Sequence, residues 1–247
     1  MKNYLDEYNQ NKSLLLYNKK IRQEKLDKAI QKYEKIKNSD IDKKEQRLQL
    51  AAINVNRRKY ALNIIEEELF YLRPASKEDI EYRLRQYKDF AEEARKCIPE
   101  DLPLRFHGCP IYAAKKIIES GEISSSADRQ GFETSYDTNG QISVTTKDSL
   151  DITVTSYSGL IDDYTLPAGC IFVLLPKDDF DRESGKSLLM ENVNFRNEPS
   201  RLFAIITTPE NILKVSNWCK ENNIDLNKVY DYDNFTLLFN QNKTIRR

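Results

Sequence analysis

The chain has 247 residues, 39% apolar and 32% charged, with as many Lys and Arg as Asp and Glu. That length has room for one large domain or two small ones, and the polar balance points to much solvated helix around a modest core. No window approaches the roughly eighteen apolar residues of a membrane span, and the opening MKNYLDEYNQNKSLLLYNKK carries only a three-leucine run before charge returns. A soluble chain without a Sec-type signal is expected.

The zero net charge hides an asymmetry, because residues 1–100 carry about +5 and the remainder about −5. Cys97, Cys109, Cys170 and Cys219 are widely spread, with no Cys-x-x-Cys pair, and one histidine cannot complete a zinc site with them. Reduced thiols in a cytoplasm follow. The Lys/Asn/Ile-rich composition is of the kind that AT-rich bacterial genomes encode, so a translocated effector without a Sec signal is the alternative location.

A weak apolar stripe through Leu26, Ile30 and Tyr33 predicts a helix over 14–36, ending at Asn38-Ser39-Asp40. Ile41, Leu48, Ala52, Val55, Leu62, Ile65, Leu69 and Leu72 then recur at three, four or seven residues, one stripe on a long helix. Arg73-Pro74 breaks it, and Ser76 with Asp79 three residues on reads as the cap of another helix. Its stripe is Ile80, Leu84, Tyr87, Ala91, Ala94 and Ile98. Residues 1–98 are therefore expected to form a charged domain of antiparallel helices. The basic residues are interleaved with acids, which favours a solvated face over a nucleic-acid or anionic-membrane surface.

Prolines at 99 and 103 mark a junction, and from Leu102 short apolar runs are punctuated by Gly and Pro. Leu104-Arg105-Phe106 reads as a strand, and His107-Gly108-Cys109-Pro110 ends it and opens a helix that Gly121 closes. A polar loop over 122–140 follows, then a strand over 141–146, a polar helix or turn over 148–160 and an apolar strand over 170–175. After a charged loop come a short strand at 193–195, a firm strand at 202–207 and a helix from Pro209 to Asn222. Strands and helices mix without βαβ alternation, so residues 102–240 are expected to form an α+β domain.

Leu104-Arg105-Phe106-His107-Gly108, the helix ending Ile117-Ile118-Glu119-Ser120-Gly121, and Ile142-Ser143-Val144-Thr145 together resemble the ADP-ribosyltransferase fold. The likeness is to the histidine branch, which includes poly(ADP-ribose) polymerases, diphtheria-type toxins and RNA 2′-phosphotransferases. It covers about 102–212, under half the chain, and implies a mixed-sheet domain that takes NAD as substrate. His107, the sole histidine, would then hydrogen-bond the adenosine ribose, and the Gly108 backbone N–H and C=O would clamp the nicotinamide carboxamide. Ser143 or Thr145 stands where the family has a tyrosine or a hydroxyl, and Tyr157 or Tyr136 would give nicotinamide a flat face to stack on. Arg129 would meet the pyrophosphate.

In this family a glutamate on a late core strand stabilises the positive charge that builds on the ribose, and the alignment puts Phe203 there. Glu191 and Glu198, just upstream, are the acidic residues that could take the role. The resemblance thus implies mono-ADP-ribosyl transfer to a protein acceptor. An NAD glycohydrolase or RNA 2′-phosphotransferase on the same fold, and a non-catalytic helical scaffold with a degenerate transferase-like domain, are the alternatives.

Overall fold

The computed structural model describes residues 4–39, 44–72, 76–124, 141–150, 169–177, 182–184 and 187–245. It divides into two units, one comprising the described residues up to Leu72 and the other those from Ser76 onward. No described helix is long and apolar enough to cross a membrane.

The first unit is a hairpin of α1 (Tyr4–Lys37) and α2 (Lys44–Tyr71). Lys19 pairs with Glu66 at 2.9 Å, and Arg22 donates to the Ala61 carbonyl at 2.7 Å. Numbering rises on one helix as it falls on the other, so the two are antiparallel. On α2 the expected stripe is the buried seam, with Leu62, Ile65 and Leu72 shielded. Of the expected α1 stripe only Leu26 is buried, Tyr33 is half-buried and Ile30 exposed, and Ala29 is buried in place of Ile30. Leu48, Ala52, Val55 and Leu69 are half-buried, and Ile41 lies outside the described residues. Helix α1 begins ten residues before the predicted 14, because Leu14 and Tyr17 are exposed and contribute no stripe to read. The Ser39 hydroxyl donates to the Ile36 carbonyl and closes α1 near the expected end.

The second unit is α+β. Helix α3 (Lys77–Cys97) leads to β1 (Arg105–Cys109), α4 (Ile111–Ser120), β2 (Glu122–Ile123) and β3 (Gln141–Val144). Then come β4 (Cys170–Leu174), β5 (Arg182–Ser184), β6 (Ser187–Glu191), β7 (Val193–Asn194) and β8 (Leu202–Thr207). Helix α5 (Ile212–Glu221), β9 (Val229–Tyr230) and α6 (Tyr232–Ile245) complete it. The main sheet has the order β1-β4-β8-β9, antiparallel except for the β8–β9 pair. A second sheet has the order β3-β6-β5, and β2 pairs with β7. One bridge, Phe106 to Thr145, joins the first sheet to the strand of the second.

Strand β4 is buried along its whole length, which is why its five residues are apolar throughout instead of alternating. On one face of the main sheet Phe106, Ile171, Val173, Ala204 and Ile206 pack with Tyr87, Phe90, Ala94 and Ile98 of the α3 segment. Tyr232, Phe235 and Phe239 of α6 complete that layer. Phe90 lies 4.6 Å from Tyr232 between ring centroids, and Phe235 meets Phe239 edge-on at 5.4 Å. On the opposite face Phe172 stacks on Phe195.

The boundary expected between 98 and Leu102 therefore falls inside this unit. Helix α3 belongs to the second unit, where its apolar face covers the sheet. Helix α5 starts at Ile212, later than Pro209, because Asn211 and Ile212 first close a turn on the carbonyls of Thr208 and Pro209. Strands β5 and β6 occupy what reads as a charged loop. Of the expected polar helix over 148–160, a 3₁₀ turn at Lys147–Ser149 precedes Leu150, and the rest lies outside the described residues.

A fragment beginning at Ala75 should unfold cooperatively in a thermal or urea melt. One beginning at Leu102 lacks Tyr87, Phe90, Ala94 and Ile98, and should bind a hydrophobic dye without a sharp transition. Phe90→Ala in the full chain should cost about 3–5 kcal/mol by urea unfolding.

Candidate functional site

Along a strand the backbone N–H and C=O groups of successive residues point to alternate edges. Phe106 exchanges both bonds with Thr145, its N–H to the Thr145 carbonyl at 2.9 Å and the return bond at 3.0 Å. Phe106 and Gly108 therefore face β3, while Arg105, His107 and Cys109 face β4, opposite Leu174, Phe172 and Cys170. Regular continuation would pair Gly108 with Ser143. The bridge is isolated, and the ladder stops after one pair.

The Ser143 carbonyl, which that pair would have used, instead meets His107 Nδ1 at 2.9 Å. A carbonyl only accepts, so Nδ1 carries the proton and donates. The half-buried imidazole is thus pinned between the two parting strands. Among the described residues no protein partner takes the Gly108 N–H or C=O, and this residue is half-exposed. One donor and one acceptor of a single residue face the gap beside the ring.

His107 and Ser143 are thereby brought together, although through the serine's backbone and not its hydroxyl. Ser143 shares a face with Gln141 and Glu191, all half-exposed, while Ile142, Val144 and Met190 are buried on the other face. Thr145 is buried at the bridge with 1% exposure, so its hydroxyl is not presented to the surface as the strand's polar alternation predicts. Gln141 pairs with Glu191 and Ser143 with Leu189, so Glu191 lies two residues, about 7 Å along the strand, from the position facing Ser143.

Glu191 and Glu198 converge on a residue that the sequence reading does not single out, Arg201. Its Nε donates to the Leu175 carbonyl at 2.7 Å, one terminal nitrogen reaches Glu198 at 3.4 Å, and the other bonds Glu191. Arg201 is 7% exposed, so the guanidinium is a buried charge balanced by two carboxylates at the rim. The Lys177 backbone N–H also donates to Glu191 Oε1, at 3.3 Å. The Lys177 ammonium, and after it Arg201, holds the Glu198 carboxyl below the usual glutamate range. Both acids thus belong to a clasp joining the ends of β4 and β6 to the 3₁₀ turn Pro199–Arg201. An arginine just before an apolar strand is ordinary in sequence, and nothing in the spacing announces its partners.

Phe203 packs on Phe235 edge-on at 6.4 Å and stacks on Phe239 at 6.1 Å. It serves the α6 side of the sheet. Arg129, Tyr136 and Tyr157 lie outside the described residues. All four cysteines are buried and free, and burial pushes the Cys170 and Cys219 thiols up to about 12, which leaves them unreactive. Among the described residues no cluster of His, Cys, Asp and Glu could hold a metal ion.

Comparison with known proteins finds no matching family model, no matching curated protein and no matching solved structure.

Arg201→Ala should cost about 1–3 kcal/mol by urea unfolding, less than a fully buried pair because both carboxylates reach solvent. Arg201→Lys should recover little of it, since an ammonium cannot serve the Leu175 carbonyl and two separate carboxylates in the same planar fork.

Proposed function

We propose that the second unit is an NAD-consuming mono-ADP-ribosyltransferase with a protein acceptor. The observation that carries this reading is the open Gly108 amide beside the anchored His107. A primary carboxamide such as that of nicotinamide has one face offering C=O and N–H side by side. That face is complementary to the N–H and C=O of one extended residue, and two hydrogen bonds would form in the gap between β1 and β3.

His107, fixed through Nδ1, is the group the resemblance assigns to the adenosine ribose. Ser143 and Glu191 share the face of β3 and β6 that leads away from it. Cleavage of the nicotinamide–ribose bond builds positive charge on the ribose, and the Glu191 carboxylate, already oriented by Arg201, would stabilise that charge. A nucleophile of the acceptor then attacks the ribose carbon. The α1–α2 hairpin is the part available to recognise the acceptor.

A second reading, a non-catalytic domain that keeps the fold without the chemistry, is favoured by one further observation. The strand position that the alignment gives to the glutamate is Phe203, committed to the aromatic layer with Phe235 and Phe239.

Calorimetry with NAD and chromatographic detection of nicotinamide separate the two. The first reading expects saturable NAD binding and nicotinamide release. His107→Ala should weaken binding by about 1–3 kcal/mol, with a stability loss near the roughly 1 kcal/mol of one hydrogen bond. Ser143→Ala should leave the His107 anchor intact, because the acceptor is the backbone carbonyl. Absence of nicotinamide release selects the second reading, and no NAD binding by the wild-type chain ends the first.

A further inference from the structure

We propose that a cavity of about 480 Å³ where the C-terminal ends of α4 and α5 converge is a second binding site, for a free α-amino acid with an apolar side chain. It shares no residue with the His107 and Gly108 gap and does not rest on the NAD reading.

The volume falls within the range of small-molecule sites, about 300–1,000 Å³. Ile118, Phe195, Leu202 and Ile224 give it an apolar lining, the first three almost wholly buried. Such a surface takes up an aliphatic or aromatic side chain through the hydrophobic effect. A charge-neutral rim surrounds it. Arg196 and Lys228 contribute two positive groups, and Glu221 and Asp225 two negative ones.

Among the described residues Arg196, Lys228 and Glu221 keep unused capacity, while one Asp225 carboxylate oxygen already accepts from the Asn227 N–H at 3.0 Å. Arg196 donates one terminal nitrogen to the Glu119 carbonyl at 2.7 Å, which leaves Nε and the other terminal nitrogen to grip a carboxylate. Its backbone is fixed, because Gly121, at φ 71°, approaches so closely that a Cβ there would lie 2.7 Å from the Arg196 Cβ. Lys228 donates to the carbonyls of Pro199, at 2.7 Å, and Leu202. Among the described residues it has no carboxylate in ion-pair contact. Burial accordingly pushes its ammonium down from the usual lysine range, with Asp225 acting weakly the other way.

On the α5 side the exposed Glu221 carboxylate has no side-chain partner among the described residues. It stands at the carbonyl end of a helix, where the macrodipole favours a cation. Asn223, at φ 59°, turns the chain directly after it. A lone anion would meet Glu221 and Asp225, and a lone cation would meet Arg196 and Lys228. A zwitterion with an apolar body satisfies both pairs and the lining together.

The test is titration calorimetry with L-leucine, N-acetyl-L-leucine and L-leucinamide on the full chain, repeated with Glu221→Gln and Arg196→Gln. Saturable L-leucine binding is expected, at least about tenfold tighter than either blocked analogue and about tenfold weakened by Glu221→Gln. Glu221 is solvent-exposed, so an unshifted melt for that variant keeps the comparison valid even where Arg196→Gln disturbs the end of α4. No saturable binding of millimolar L-leucine, equal binding of N-acetyl-L-leucine, or undiminished binding by Glu221→Gln would overturn the proposal. NAD should neither compete with L-leucine nor be displaced by it.

Discussion

The second unit turns on the single hydrogen-bonded pair between Phe106 and Thr145. Through it β1 belongs to two sheets at once, fully laddered to β4 on one edge and touching the β3 strand at one point on the other. Each sheet carries the right-handed twist common to all strands, which turns β1 and β3 progressively apart, so a junction of two sheets must open somewhere. Here it opens immediately after Phe106. The freed Ser143 carbonyl is half-buried and would lose its protein donor if the imidazole did not take it, at a cost of roughly 1 kcal/mol. The histidine is therefore explained by the fold before any ligand is considered. Among the described residues nothing takes the Gly108 N–H and C=O, and the NAD proposal gives them a partner.

The two faces of the main sheet are closed by different means. Aromatic rings from α3 and α6 cover one, and since α3 precedes the sheet while α6 ends the unit, the chain wraps that face from both ends. The Arg201 clasp sits at the margin, where the end of β4, the end of β6 and the start of β8 meet. It uses charge where a side chain with apolar neighbours on one side and water on the other could not be buried cleanly. Such a clasp sets register more than it adds stability, because desolvating the guanidinium offsets much of the attraction.

Much of the architecture is legible in the sequence because burial imposes periodicity. The runs that became β1, β3, β4 and β8 are apolar or alternating and bounded by Gly or Pro, and α4 carries its own stop signal at Gly121. The stripe of α3 is equally plain; its partner is not, since periodicity says that a face is buried without saying against what. Strand β5, at the edge of its sheet, hides among charges because edge pairing needs backbone more than side chains. At the candidate site His107 and Gly108 stand out by rarity and position. The use of the Ser143 backbone in place of its hydroxyl, and the capture of both glutamates by Arg201, depend on strand register and turn geometry that no local pattern encodes.

The alternation that aims Gly108 at the gap also limits how the chain can change length. Losing one residue between Leu104 and Phe106 while the Thr145 partner stayed in place would exchange the roles of neighbouring positions. The imidazole would then enter the aromatic layer beneath α3, and a bulky ring would leave it for the opposite side. Related chains should accordingly accept many substitutions in β1 but no single insertion or deletion there, with length variation displaced to the connections outside the strand.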